Sequence, residues 1–464
     1  MKRIYHRLLL IFIPVIFACR TLVGEPTGLT QISTQASTPS KDISPSTEWL
    51  TFLSVESDFI SDIAGDNFGN VYVASVDVIG AAPGGDDDTR YLYLSKITSA
   101  GIVEWGILIT DTLDSGPSPI AVDRDGNVYL SGSSKDSWGT PIRPFGSRTL
   151  NGYYGRTFVA KVNGQGDLVW NTFLEGTYPS NNIVADPSSG MIYLLNDYGG
   201  GPEADELALV KLNGAGEIQQ ATALPGIFDV QTHGLDPQEL KVDSQSNIYI
   251  GGHEDDNGTI GNLAYFVAKT NGNGDVSWKT VLDDAHWGYA QHVLLELGND
   301  GAAYVIGESN RSWGNPINPH DGGRPDLEFP DIDYLNGYAY FVTKLDNNGQ
   351  VVWNTFLSQY AIVEDSALDK NGALYLAGYS QSTWGTPHAD FSGGVDGFVM
   401  LLDANGFVLW NTFIGEQGAD QIFNICIGGN QRIYVGGYSH TPSGDGQEGQ
   451  NVGRLFVSSI MVDD

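Results

Sequence analysis

Four histidines, His253, His320, His388 and His440, fall in corresponding stretches of the second half of the chain, and Asp321 and Asp390 lie close to two of them. Imidazole and carboxylate together suit Zn2+ and similar ions. Their spacing is too wide for a local ligand motif, so only the fold could gather them; four unrelated loop histidines is the competing reading. Three tryptophans, Trp138, Trp313 and Trp384, each open a Trp-Gly-x-Pro stretch. Exposed aromatic rings stack on sugars, which makes these three candidate ligand-binding residues for a glycan. The competing reading is a loop latch that packs on its own unit. Carboxylates alternate at Asp123-Arg124-Asp125-Gly126-Asn127 and cluster at Asp86-Asp87-Asp88, which suits Ca2+. The first lacks the distal bidentate glutamate of a calcium loop, and Asp, Asn and Gly are also what a tight turn requires. Beyond Zn2+ or Ca2+ at these places, no cofactor is expected. Gly-x-Ser-x-Gly, His-Glu-x-x-His and phosphate-loop motifs are absent from the sequence, so no catalytic residue is assigned.

The elements that must position these residues repeat. Val169-Trp170-Asn171-Thr172-Phe173-Leu174 returns as Val352-Trp353-Asn354-Thr355-Phe356-Leu357 and as Leu409-Trp410-Asn411-Thr412-Phe413-Ile414. Weaker copies occur at Trp49, Trp105 and Trp278. A second phrase, apolar-Tyr-apolar, recurs at Tyr72, Tyr129, Tyr193, Tyr249, Tyr304, Tyr375 and Tyr434. Asp-Gly and Asn-x-x-Gly turns separate the phrases and favour tight hairpins. Each repeat therefore holds four short strands, and no helical periodicity of useful length interrupts them. Four-stranded units in seven copies predict an all-β protein, a seven-bladed β-propeller. The chain opens on a lone fourth strand, Glu48 to Leu53, and stops after a third strand, Leu455 to Val462. The N-terminal strand is thus expected to complete the last blade and close the ring, which removes two exposed sheet edges.

The pattern Asp-x-x-Gly-Asn-Val-Tyr, then a loop, then Phe-Val-x-Lys and Trp-x-Thr-Phe-Leu resembles the SBBP repeat, a β-propeller repeat of exported bacterial proteins. The resemblance covers nearly all of residues 48–464, strongest around Tyr129, Tyr304 and Tyr375 and weakest around Tyr193. It departs from the family in the loop after the second strand, where Trp-Gly-x-Pro replaces the usual Phe-Pro. It implies a propeller and an exported location, and it brings no catalytic residues, since the family has no single activity.

Composition agrees with an exported, turn-rich β-protein. Charged residues are only 17%, glycines number 59, and the formal net charge is −33. Such a surface repels phosphate backbones, which argues against nucleic-acid partners. Lys2, Arg3 and Arg7 precede an apolar run, Leu8 to Phe17, too short to cross a bilayer as a helix. Ile16-Phe17-Ala18-Cys19 resembles a bacterial lipobox, which implies removal of residues 1–18 and lipidation of Cys19; an ordinary signal peptide is the alternative. Arg20 after the cysteine fits sorting to the outer membrane. Residues 19–46 then form a Ser/Thr/Pro-rich tether, and over residues 20–46 a random coil spans roughly 30 Å. The one other cysteine, Cys426, reads as a small buried hydrophobe.

These readings together predict a lipid-anchored cell-envelope protein with its propeller over residues 47–464. The loops between second and third strands are long and differ in every copy, so they mark the expected binding face. The expected role is binding or scaffolding, without catalysis, toward an envelope or extracellular protein or a glycan. The alternative is a surface or periplasmic polysaccharide hydrolase or lyase with its site at the channel mouth. An enzyme should gather carboxylates with a His or Tyr at one spot facing the channel.

Overall fold

Short apolar stretches punctuated by Asp-x-x-Gly and Asn-x-x-Gly become antiparallel strands along the whole body. The computed structural model describes residues 45–53, 58–79, 89–114, 118–146, 149–150, 153–154, 156–174, 179–197, 207–224, 227, 236–255, 263–282, 293–322, 338–416, 418–440 and 453–462. Every regular element among the described residues is a β-strand.

The strands pair in fours. Ile120–Val122, Val128–Ser134, Arg156–Val162 and Leu168–Phe173 pair in chain order, each antiparallel to the next. The same order recurs in groups whose first strands are Phe59–Gly65, Ile120–Val122, Pro179–Ala185, Asp236–Val242, Leu294–Leu297, Ile362–Leu368 and Gly418–Ile427. Four-stranded antiparallel sheets of this kind fit propeller blades. The last group takes its fourth strand from the other end of the chain: Pro45–Phe52 pairs with Arg454–Val462, Pro45 opposite Val462 and Phe52 opposite Phe456. First strands lie beside one another in chain order, and Gly418–Ile427 lies beside Phe59–Gly65.

Turn chemistry explains the hairpins. One carboxylate oxygen of Asp66 accepts the N–H groups of Phe68 and Asn70, each at 2.8 Å. Asp123 does the same for Asp125 and Asn127 at 3.0 and 2.9 Å. Gly69 and Gly126 then sit at φ of 82° and 77°, where a side chain is strained.

The residues that repeat bolt each sheet to the next. The Tyr72 hydroxyl donates to the Gly126 carbonyl at 3.1 Å, Tyr249 to Gly301 at 3.3 Å, and Tyr434 to Gly69 at 2.6 Å. The indole N–H of Trp49 donates to Ser99, of Trp105 to Gly164 and of Trp170 to Gly214, each at 3.1 Å. Trp278 reaches Asn347 at 3.0 Å and Trp353 reaches Ala404 at 3.2 Å. The tyrosine acceptors lie in the first-to-second turn of the following sheet and the tryptophan acceptors in its third-to-fourth turn. In the weakest repeat Gln220 stands in place of tryptophan, and its amide donates to Asn273 at 3.3 Å. The repeated lysine lies over the repeated tyrosine, Lys161 at 5.0 Å from the Tyr129 ring centroid and Lys344 at 4.9 Å from that of Tyr304. Between sheets, buried side chains such as Leu94, Ile120 and Phe158 fill a shared core.

Candidate functional site

Because the repeated residues are spent on joining sheets, chemistry has to come from positions where the copies differ. Such positions lie on the first strands, where these meet at the centre. Ala64, Ala121 and Ala367 occupy one register; in other copies the same register holds Lys241, Glu296 and Cys426. Two residues earlier in their copies stand Asp62, Asn182, Glu239, Asp365 and Asn424. The pairing register shifts just before Asp62, Glu239, Asp365 and Asn424. A bulge of this kind re-aims the side chain that follows it.

These side chains converge. Lys241 donates to Glu296 at 3.0 Å, and the Asn182 amide donates to Glu239 at 2.6 Å. The Ser366 hydroxyl reaches the same Glu296 oxygen at 3.4 Å. Asp62 accepts the backbone N–H of Ile63 at 2.7 Å and of Ile120, on the next sheet, at 2.8 Å. Asp365 repeats this with Ser366 at 2.7 Å and Ile425 at 2.8 Å. Each bonded oxygen thus ties one first strand to itself or to its neighbour.

The electrostatics follow from depth. The cluster is only partly open to water, with the Lys241 and Glu296 side chains 31% and 14% exposed. Burial pushes the Asp62 carboxyl up to about 6, against the backbone bonds that lower it. Burial pushes Glu239 up to about 8; Lys241 opposes the rise and Glu296 adds to it. Asp365 is raised well above the carboxylate range, first by burial. Burial alone would lower Lys241, but Glu296 and Glu239 more than offset it, and the ammonium is held more firmly than usual. The Cys426 thiol is raised by burial and by Asp62 and Asp365, so it is a poor nucleophile. The centre therefore holds one firm cation among carboxyls that burial makes easier to protonate than usual. That arrangement can hand over or accept a proton, or it can serve only to lock the strands.

The residues singled out from sequence lie elsewhere. Trp138, Trp313 and Trp384 are 6%, 8% and 8% exposed, so their faces are not open for stacking on a sugar. They meet Phe158, Phe341 and Phe398 edge to face, with centroids 5.1, 5.3 and 5.2 Å apart. Their carbonyls accept the side-chain amides of Asn171, Asn354 and Asn411 at 2.8, 2.8 and 3.1 Å. The following residues then run along the outer edge: the N–H groups of Ile142, Ile317 and His388 donate to the carbonyls of those same asparagines. This is the latch arrangement, and it pairs part of a fourth-strand edge that would otherwise be exposed. His253 is buried and packs on Tyr265 at 4.8 Å, while His320 lies 5.6 Å from Phe356. His388 neighbours Trp410 at 6.2 Å, and His440 neighbours Tyr438 at 6.2 Å. They stand on separate sheets, and among the described residues no three His, Cys, Asp or Glu gather as metal ligands. Cys19, Asp86–Asp88 and most tips of the long loops lie outside the described residues.

Sequence reasoning passed over Asp62, Glu239, Lys241, Glu296 and Asp365. The available signal was charge at Lys241 and Glu296, where sister copies carry alanine, and a polar residue two positions earlier at Asp62, Asn182, Glu239, Asp365 and Asn424.

No family model matches the chain, and no curated protein is similar to it. Among solved structures it is similar to the polysaccharide lyase Uly1, with TM-score 0.50 and 11% identity over 93% of this chain and 95% of that one. It is also similar to a protein of unknown function from Dyadobacter fermentans, with TM-score 0.45 and 8% identity over 90% and 99%. A third is the β-propeller domain of the trilobed protease from Pyrococcus furiosus, with TM-score 0.46 and 8% identity over 87% and 94%. At such identities the likeness is one of fold alone.

Proposed function

We propose that the chain is a seven-bladed propeller, closed by its N-terminal strand, that serves as a lipid-anchored binding or scaffold protein of the bacterial cell envelope. Pairing of Pro45–Phe52 with Arg454–Val462, and the run of first strands that returns from Gly418–Ile427 to Phe59–Gly65, support the ring. The lipobox-like Ile16-Phe17-Ala18-Cys19 and the SBBP-like repeat support the anchor and the export. One observation carries the non-catalytic reading. The central carboxyls are engaged in bonds that tie strands and neighbouring sheets, Asp62 to Ile120, Asp365 to Ile425, Glu239 to Asn182 and Glu296 to Lys241. Bonds of that kind make a stiff platform, on which variable loops can present a partner surface.

The test is binding of the purified protein to panels of bacterial glycans and envelope proteins, with residues 323–337 present or replaced by a short Gly-Ser link. Saturable binding that weakens on shortening supports the loop face. Failure to bind any of them, together with depolymerisation of a polysaccharide, overturns the reading in favour of an enzyme. That second reading has its own support: a carboxyl at Glu239 that keeps its proton to about pH 8 beside Lys241 resembles a general acid. A Glu239→Gln variant that abolishes depolymerisation while remaining folded would establish it.

A further inference from the structure

The exposed apolar side chains of this protein are not scattered. Most sit at one end of the sheets, around the first-to-second and third-to-fourth turns. Phe68 (68% exposed) lies in a first-to-second turn and Ile102 (55%) in a third-to-fourth turn. Phe407 (54%) directly follows the turn glycine Gly406. Val169 (52%), Val352 (56%) and Leu409 (57%) occupy one repeated position, the bulged residue ahead of the fourth-strand tryptophan. The two kinds of turn share that end: the first sheet reaches both Gly126 and Gly164 of the second, through the Tyr72 hydroxyl at 3.1 Å and Lys96 at 3.3 Å. Isolated surface apolar groups need no explanation, but a band at equivalent positions of several sheets does.

The anchored end of the chain arrives at the same place. Glu48 stands at the bulge position of Pro45–Phe52, the counterpart of Val169 and Val352. Beside it, Trp49 donates to Ser99 in the third-to-fourth turn that precedes Ile102. The chain toward Cys19 therefore leaves the folded body at the turn end, among the apolar band, with residues 20–44 to span the distance to the lipid. A segment of that length is long enough to keep the band within reach of the bilayer.

We propose that the turn end of the propeller lies on the phospholipid surface, with the band of Phe68, Ile102, Val169, Val352, Phe407 and Leu409 seated among the headgroups, and that the long loops point away from the membrane. The proposal rests on the lipid-anchor reading. Interfacial seating scales with apolar area, and the anchor supplies the local concentration that makes shallow side chains sufficient. The turns also carry Asp66, Asp123, Asp346, Asp369 and Asp403, which anionic headgroups repel. The surface that fits is therefore zwitterionic.

The experiment uses the full lipidated chain on phosphatidylcholine vesicles. In a Cys426→Ala background, single-cysteine labels are placed at Val352→Cys and, on the latch segment toward the other end, at Asp390→Cys, and each is read by a lipid-borne quencher. Seating at the turn end gives quenching at 352 several-fold stronger than at 390. Equal quenching, or stronger quenching at 390, overturns the proposal. Flotation of the Cys19→Ala variant separates the two readings. If it no longer floats while the parent does, the anchor stands and the label ratio alone judges the orientation. If it floats as before, the anchor reading falls, and a 352-over-390 ratio that persists shows seating without it. A parent chain that does not float overturns both. A Val169→Asp/Phe407→Asp/Leu409→Asp variant carrying the same labels should keep its anchor-dependent flotation but lose the quenching ratio.

Discussion

Trp410 is the informative exception among the fourth-strand tryptophans, and replacing it should reveal what the others do. Trp170 and Trp410 are 8% and 5% exposed and hold the same place in their sheets. Trp170 donates its indole N–H to the Gly214 carbonyl in the next turn, at 3.1 Å. Trp410 faces the one sheet whose third and fourth strands come from opposite ends of the chain, so no such turn exists there. Its indole N–H is buried without a partner among the described residues. Trp→Phe removes a similar ring volume at both sites, so the packing losses nearly cancel between them. At Trp170 the change also removes a hydrogen bond worth about 0.5–1.5 kcal/mol net, with water able to reach the exposed Gly214. At Trp410 it removes an unsatisfied donor and recovers about 1–3 kcal/mol of desolvation. Trp170→Phe should therefore be less stable than Trp410→Phe by about 1.5–4.5 kcal/mol. Urea midpoints at equal m-values measure this directly. Equal losses, or the larger loss at Trp410, would refute the idea that the fourth-strand tryptophan is a bolt between sheets.

Three further outcomes follow from the geometry. Unfolding frees the Glu239 carboxyl from the value of about 8 that burial gives it. Between the ordinary carboxylate range and that value the unfolded chain has lost a proton the folded chain keeps, so stability falls as pH rises through this window. Glu239→Gln should flatten the fall between pH 5 and pH 8 by an amount on the order of 3 kcal/mol; denaturation at the two pH values measures this, and an unchanged fall would refute it. Asn411→Ala removes the donor to the Trp384 carbonyl and should cost about 1–3 kcal/mol, with faster proteolysis between residues 384 and 394; unchanged proteolysis would mean the latch holds without it. Gly166→Ala forces a side chain at φ of 84°, with a Cβ 3.0 Å from the Trp105 ring, and should cost about 1–3 kcal/mol, whereas Gly146→Ala, with only the Arg156 guanidinium nearby, should be near neutral in the same melt.

The architecture was legible because its signals are local and repeated. A turn needs its Asp and Gly within five residues, and the Tyr, Lys and Trp that bolt sheets together recur once per sheet. Even the weakest repeat keeps the logic, since Gln220 makes with its amide the bond that tryptophan makes elsewhere. The pairing of the first strand with the last was readable for the same reason: a fourth strand stood alone at one end and was missing at the other. The fate of the Trp-Gly-x-Pro tryptophans turned on a partner in a different phrase. Asn171, Asn354 and Asn411 sit inside the Trp-Asn-Thr-Phe motif, and only their side-chain bonds to the Trp138, Trp313 and Trp384 carbonyls tell a latch from an exposed stacking ring.

The central cluster was illegible for the opposite reason. Asp62, Glu239, Lys241, Glu296 and Asp365 belong to different repeats, and nothing in the spacing of one copy says which way a first-strand side chain points. The bulges ahead of Asp62, Glu239 and Asp365 deepen the difficulty, because a shift of one residue sends a strand's side chains to the opposite face. A period-2 reading of Leu240-Lys241-Val242 makes Lys241 an ordinary solvent-facing lysine. In the folded chain it lies between Glu239 and Glu296, deep enough that burial and their charges contend over its proton. Charge at that depth is costly unless each group is answered by another, and here the answers come from neighbouring sheets. The cluster thus couples the order of the sheets to the protonation of their centre. Whether it acts on a substrate or only braces a platform, removing one member should disturb strands on a sheet that the member does not belong to.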